Sequence, residues 1–422
     1  MLRLFSTAIL DQMLLSGGNL LCGFVLIRYT SDFDYGLYVL IQSATLLVVS
    51  SQGSWTAGPL SVMASRKPPD ERRATVGAVT RGQARAVRVL ALLALAVPAV
   101  GFLIGKLSAV MATVLAIAIV SAWGALRRDH LRNVMLIYSK PHALLRADAF
   151  YVGILFGGVL LASFATKQPI IGATVALAAA GWAGTLSAWR SFAADPGWVA
   201  GDGAAAWREL RAFGIWSLLG GAIYWLFGQS YSYVLASRLD LKAVADVNAS
   251  RLLLMPAFVV ATGIQGLLGP TAARWKVQIG FRRLLRRLLL ILLLVGSADL
   301  LYFGVVWGLR DWLTGDVLHK HIGNRDSLLL LWATVAIIGI IRDILQCSLI
   351  ALGRFKSMAG QVAISAVVAL VLMWFGTSLW GAAAVLIGQI AGELVNVVGI
   401  AWLVRSSLKV EKPVEVPHSP GI

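Results

Sequence analysis

Apolar stretches of about 20 residues recur along almost the whole chain, and each is long enough to carry a helix across a bilayer. No ordinary soluble fold accommodates so many, so the sequence reads as an all-α polytopic membrane protein. Composition agrees. The 422 residues are 58% hydrophobic and only 14% charged, with a mean hydropathy of +0.78, whereas soluble domains carry roughly 25% charged residues. Hydropathy predicts twelve spans: 4–27, 36–62, 86–105, 108–137, 147–166, 169–189, 213–236, 252–270, 287–309, 327–351, 358–376 and 379–404. The first of these continues through a full span without a small-residue cleavage site, so no signal peptide is expected. Cys22 and Cys347 both fall inside apolar helices and read as small hydrophobes, with no disulfide or metal site implied.

A net charge of +17 would suggest nucleic acid in a soluble chain, but here it follows membrane topology. With both termini in the cytoplasm, 24 of the 37 lysines and arginines fall in or beside inside segments and 9 in outside ones. That asymmetry is the positive-inside rule. It makes "RKPPDERRATVGAVTRGQARAVR" and "RWKVQIGFRRLLRRL" cytoplasmic segments close to anionic lipid headgroups.

The first span, "STAILDQMLLSGGNLLCGFVLI", carries polar groups at membrane depth. At 100° per residue, Thr7, Asp11, Gln12, Ser16, Gly18 and Asn19 share one half of the helix, and leucines, Met13 and Phe24 cover the other. A carboxylate at such depth costs roughly 2.5–3.5 kcal/mol, so Asp11 should face a bundle interior or a wet cavity. Asp11 is therefore expected either to take part in binding or coupling, or to pair with a cation on a neighbouring helix.

The two halves of the chain resemble each other at an offset of about 210 residues. "LRLF" matches "LRAF", Arg28 matches Arg238, Gly58-Pro59 matches Gly269-Pro270, and "IIGATVAL" matches "LWGAAAVL". "RRDHLRNVMLIYSKPHALL" aligns without a gap to "IRDILQCSLIALGRFKSMA". Six spans per half is an even number, so the repeat is parallel, related by an axis along the membrane normal. The expected domains are residues 1–189, a linker 190–212, residues 213–404 and a tail 405–422. Two such halves leave a central cavity suited to alternating access, which an enzyme does not need. The repeat also extends the fourth helix to about Tyr138, placing Arg127, Arg128, Asp129 and Arg132 within it, with Arg342 and Asp343 at the matching place in the tenth. Arg128 and Arg132 lie one turn apart on one face. These arginines either reach the cytoplasmic interface and pair with the neighbouring aspartates or form a cationic patch, with arginine outnumbering carboxylate on the inner half of the cavity.

Other polar residues in spans complete the expected lining: Gln52 in the second helix, Tyr224, Gln229 and Tyr231 in the seventh, Asp299 in the ninth, and Gln389, Glu393 and Asn396 on one face of the twelfth. The buried carboxylates Asp11, Asp299 and Glu393 are the candidates for a coupling proton or sodium ion, since ionisable groups in lipid are expensive. Small-residue packing accounts for the glycines and serines as well as function does. Walker loops, dinucleotide fingerprints and Cys/His clusters are absent. "HKH" at 319–321 reads as a solvated loop, and no cofactor or metal is expected. Asp32 and Asp34 in "TSDFDYG" raise a polyprenyl-phosphate-dependent glycosyltransferase, which places acidic residues in such a loop. Short outer loops and the frequency of Asp-x-Asp in turns argue against it.

The chain resembles the bacterial polysaccharide or lipid-linked oligosaccharide flippases (O-antigen type) of the multidrug/oligosaccharidyl-lipid/polysaccharide exporter superfamily. The resemblance covers essentially the whole chain. It rests on Arg3, Asp11-Gln12 and Asn19 in the first helix, the outer "SDFDYGLY" turn, Gly58-Pro59, and the "LRRDHLRN…YSKPHALLRADAF" join. It implies twelve helices in two six-helix lobes, a V-shaped cavity and a bacterial inner (cytoplasmic) membrane. The implied activity is flipping of an undecaprenyl-pyrophosphate-linked glycan from the cytoplasmic to the periplasmic leaflet for surface or exopolysaccharide synthesis, alongside a polymerase and a chain-length regulator. The residue chemistry fits that cargo. Guanidinium forks of Arg127, Arg128, Arg132 and Arg342 suit pyrophosphate. Asn19, Gln52, Tyr224, Gln229, Tyr231, Gln389 and Asn396 offer hydroxyl, amide and aromatic contacts to sugar, while the prenyl tail stays in membrane lipid. The competing reading is a cation-coupled multidrug extruder of the same superfamily, whose cationic cargo prefers an acidic cavity.

Overall fold

Serine and proline set many of the helix starts. Ser31 accepts a hydrogen bond from the Asp34 amide at 3.0 Å, and Asp32 and Asp34 lie in the first turn that follows. Ser108 caps its helix in the same way through the Met111 amide at 3.2 Å. Pro69, Pro141 and Pro169 open three others, where a missing amide proton costs nothing. In lipid the side-chain hydroxyls must also find partners, and most fold back onto the carbonyl one turn earlier, as Thr45 does on Ile41 and Thr174 on Ile170.

The computed structural model describes residues 2–138, 140–166, 168–193, 203–320 and 322–410, and among them there is no strand. The helices in chain order are α1 (Leu2–Tyr29), α2 (Asp32–Gln52), α3 (Gly58–Arg66), α4 (Pro69–Leu103), α5 (Ala109–Ile137), α6 (Pro141–Ala165), α7 (Pro169–Ala193), α8 (Gly203–Arg238), α9 (Leu241–Leu253), α10 (Met255–Ile279), α11 (Phe281–Gly308), α12 (Arg310–Trp312), α13 (Arg325–Leu352), α14 (Phe355–Trp380) and α15 (Ala383–Val410). A π-helical turn over Gly53–Ala57 joins α2 to α3, so the second expected span is one continuous helical rod, Asp32–Ser61. Among the described residues nine helices are long and apolar enough to cross a membrane, and a tenth arises if α9 and the start of α10, bent by 61°, form one span. Multi-pass membrane residence follows.

The helices extend beyond several hydropathy boundaries. The basic segment expected as a loop after the second span is the first half of α4, whose arginines keep it out of a hydropathy window although it is helical from Pro69. Of the expected linker 190–212, four residues complete α7 and the last ten open α8, while 194–202 lie outside the described residues. The expected tail continues α15 to Val410, and 411–422 lie outside the described residues.

The chain forms two compact units. One comprises Met1–Trp225, Leu241–Ala245 and Leu318–Lys320; the other comprises Leu226–Asp240, Asp246–Val317 and His321–Ile422. In the first, α5 packs on α7, α6 on α7, α4 on α5 and α2 on α5. In the second, α13 packs on α15, α14 on α15, α11 on α13 and α10 on α13. These four pairings correspond between the two units. Each unit also has an equivalent apolar core near one end of its bundle: Leu60, Met63, Val79, Leu131 and Leu210 in the first, Leu268, Phe281, Leu284, Ile344 and Leu349 in the second. In the first unit Asp32, at the start of α2, pairs with Lys320 at 2.6 Å and Lys242 at 3.7 Å, and Lys320 also donates to the Thr30 carbonyl.

Candidate functional site

The polar heart of the first unit is built on α5. Arg128 and Arg132 project from successive turns of its inner face towards α6, where Asp148 and Tyr151 stand three residues apart. Arg132 divides its fork between two helices: Nε donates to Asp148 Oδ2 at 2.6 Å and Nη2 to Asp11 Oδ2 of α1 at 2.8 Å. Arg128 sits over the Tyr151 ring, its Cζ 3.5 Å from the ring centre, with Asp148 Oδ1 at 3.8 Å from Nη1. Its Nε and Nη1 make no hydrogen bond. The Arg128 stem passes close over Gly184 of α7, where a Cβ would meet Cδ at 2.8 Å. Asp129, next on α5, binds Asn133 one turn on.

A second network starts from the same helix. Gln52 Nε2 donates to the Leu126 carbonyl at 2.8 Å, Gln83 donates to Gln52 Oε1 at 2.6 Å, and Arg127 donates to Gln83 Oε1. Thr80 Oγ1 and His130 Nε2 meet at 3.0 Å. Gln52 and Arg127 therefore hold α2, α4 and α5 together in this state.

In the second unit Arg342 of α13 binds Asp343 beside it, with Nε donating at 2.9 Å, and Glu393 of α15 through Nη1. Arg128 and Arg342 occupy matching places in the repeat, yet their carboxylate partners come from different helices. Glu393 Oε2, Gln389 Oε1 and both polar atoms of the Asn396 side chain are buried without a hydrogen-bond partner. These three line one face of α15, as their spacing predicts.

The remaining expected site residues are dispersed. Asn19 is half-buried on α1, with its Oδ1 unpartnered. Tyr231 is buried, and its hydroxyl donates to Asn248 Oδ1 at 2.7 Å and accepts from Arg251 at 3.0 Å. Gln229 on α8 and Asp299 on α11 are half-buried. The side chains of Tyr224, Gln12 and Arg3 lie outside what the structure describes, as does His321.

Two residues missed in the sequence change the picture. Asp148 lies at the edge of the fifth hydropathy span, 147–166, but α6 begins at Pro141 and carries it two turns inside, fully buried. Its i, i+3 spacing with Tyr151 was the available signal. With it, Asp11, Asp129 and Asp148 match Arg127, Arg128 and Arg132, and Asp343 and Glu393 outweigh Arg342. The excess of arginine over carboxylate expected from the sequence is thereby corrected. The other is Arg251, on the last turn of α9, whose guanidinium sits 5.4–5.9 Å from the rings of Tyr231, Phe258 and Trp332. Contacts assembled from three helices leave no local spacing to find.

No protein-family model matches the sequence, and no curated protein matches it. Solved structures do. An inward-facing multidrug resistance MATE family transporter of the MOP superfamily is similar over 96% of both chains, with a TM-score of 0.78 and 10% identity. The lipid II flippase MurJ, in an inward closed conformation, is similar over 97% of this chain and 88% of its own, with a TM-score of 0.74 and 13% identity. A Vibrio cholerae MATE transporter, VcmN, covers 97% of both chains at a TM-score of 0.67 and 16% identity. The chain thus shares the all-helical fold of these solved transporters and flippase.

Proposed function

We propose that this protein is a MOP-type transporter that flips an undecaprenyl-pyrophosphate-linked oligosaccharide between leaflets by alternating access. The observation that carries the reading is Arg128. A guanidinium held over a tyrosine ring, with two buried N–H groups unengaged and its carboxylate at 3.8 Å, is a donor fork that phosphate oxygens can take bidentately. Arg132 is firmly held by two carboxylates and acts here as the post against which Asp148 is fixed. Arg342 stands at the matching place in the second unit and, held by Asp343 and Glu393, would have to release one of them to take phosphate; Gln389 and Asn396 there add amide groups for sugar. The prenyl tail remains in lipid. Taking up a proton or sodium ion at Asp11 would weaken its hold on Arg132 and loosen α1 from α5, which is how coupling would enter. In this reading the chain sits in a bacterial cytoplasmic membrane with both termini inside, and works beside a polymerase and a chain-length regulator.

The multidrug extruder is an equally supported second reading. The observation that favours it is the carboxylate supply: Asp11, Asp148 and Glu393 could turn to a cationic cargo if their arginines swung away.

One experiment separates the two. Vesicles reconstituted with the protein are loaded with a fluorescent undecaprenyl-pyrophosphate glycan, and in a parallel arm with a cationic dye. Flipping of the glycan is expected, cut at least tenfold by Arg128→Ala or Arg342→Ala and partly restored by Lys, which lacks the fork. Dye movement with an immobile glycan would replace this proposal with the extruder.

A further inference from the structure

The junction of α10 and α11 carries a charge pattern that the transport site does not use. α10 ends at Ile279, and Gly280, at φ 79°, turns the chain into α11. Lys276 precedes the turn, and Arg282, Arg283, Arg286 and Arg287 follow it. The four arginines are exposed, while Phe281, Leu284 and Leu288 between them are buried in the second unit's core. Among the described residues none of the four forms an ion pair or a hydrogen bond, and Arg287 lies 5.1 Å from the ring centre of Trp275. No acidic residue occurs between Asp246 and Asp299, so nothing local compensates them. The basic start of α4 is different. There Asp70 and Glu71 accompany the arginines, Lys67 pairs with Glu209 at 2.9 Å, and Arg72 donates to the Ala64 carbonyl.

The exposed stripe does not stop with the arginines. Positions 282/283 and 286/287 continue on the same face into Leu289, Leu290, Leu293 and Leu294, each more than half exposed. A cationic end followed by a long apolar face matches a phospholipid in shape and order: a phosphodiester against the arginines, acyl chains along the leucines. We infer that this elbow is a binding site for an anionic phospholipid, separate from the transported cargo. Charge selects the headgroup, and the leucine stripe supplies the contact that a free phosphate lacks.

The test uses the full chain in nanodiscs of equimolar phosphatidylglycerol and phosphatidylethanolamine, with retained lipids counted by native mass spectrometry. Phosphatidylglycerol should be retained in preference, and the preference should fall roughly fivefold for each arginine replaced in the series Arg282→Gln, Arg283→Gln, Arg286→Gln and Arg287→Gln. Arg85→Gln with Arg88→Gln on α4 should leave it unchanged. Should the fourfold variant fail to insert, the wild-type protein decides: its preference must collapse in high salt, because exposed charges are screened. Equal retention of both lipids, a preference indifferent to salt, or displacement by inorganic phosphate as effective as by added phosphatidylglycerol would overturn the site.

Discussion

Arg132 joins two carboxylates from helices distant in sequence, Asp148 of α6 and Asp11 of α1, through one fork. Removing one partner from a buried ion pair strands the other charge, typically at roughly 3–5 kcal/mol. The two carboxylates are not equivalent. Asp148 faces both Arg132 and Arg128 and is fully buried, whereas among the described arginines only Arg132 forms an ion pair with Asp11. Asp148→Asn is therefore expected to destabilise the protein more than Asp11→Asn, seen as a larger fall in Tm in detergent micelles. Adding Arg132→Met to Asp148→Asn should deepen that loss, since it leaves the buried Asp11 carboxylate without its cation. If Asp11→Asn leaves Tm nearly unchanged but lowers transport and its response to an imposed proton or sodium gradient, Asp11 serves coupling. If transport and gradient response are unchanged too, it serves only to hold α1. From sequence, the polar half of the first helix was legible by periodicity. Its partner was not, because 121 residues separate Asp11 from Arg132.

At the scale of elements, close packing of small residues holds neighbouring spans together where no hydrophobic drive between helices exists. α15 carries Gly388 and Gly392 one turn apart against α14. A Cβ on Gly392 would meet Phe227 Cε2 at 2.7 Å, Ala369 Cβ at 2.8 Å and the Ser365 carbonyl oxygen at 2.8 Å. The backbone oxygen cannot turn aside, so Gly392→Ala should cost about 1–3 kcal/mol. Gly360 on α14 has nothing within 4 Å of its added Cβ. Gly360→Ala should therefore be neutral or stabilising by up to about 1 kcal/mol through helix propensity. Thermal unfolding of the two variants side by side checks both signs. The same device recurs between α6 and α7, where Gly158 meets Ala176 and Gly172 meets Ala162. Hydropathy alone placed these spans well in their middles and poorly at their ends. α4 and α8 begin earlier than any apolar window allows, because their first turns are charged or small.

For the whole molecule, the proposed even number of spans would put both ends on one side, and the excess of basic residues in the expected inner segments proposes the cytoplasm. Green fluorescent protein fused after Ile422 is expected to fluoresce, and alkaline phosphatase fused there to be inactive. Phosphatase inserted beside Lys106, in the short turn between α4 and α5, should be active; the reverse pattern would invert the orientation. The sequence by itself determined that the chain is a bundle of membrane helices, built twice over, with arginines and aspartates at matched depths of α5 and α13. These are one-dimensional signals: hydropathy, period and offset survive in the order of residues. Only the tertiary structure decided which carboxylate each arginine meets. Arg128 found Asp148 on α6, while its counterpart Arg342 found Glu393 on α15. That choice depends on how each helix is rotated against its neighbours, and rotation is fixed by the packing of small residues and cores contributed by segments far apart in the chain.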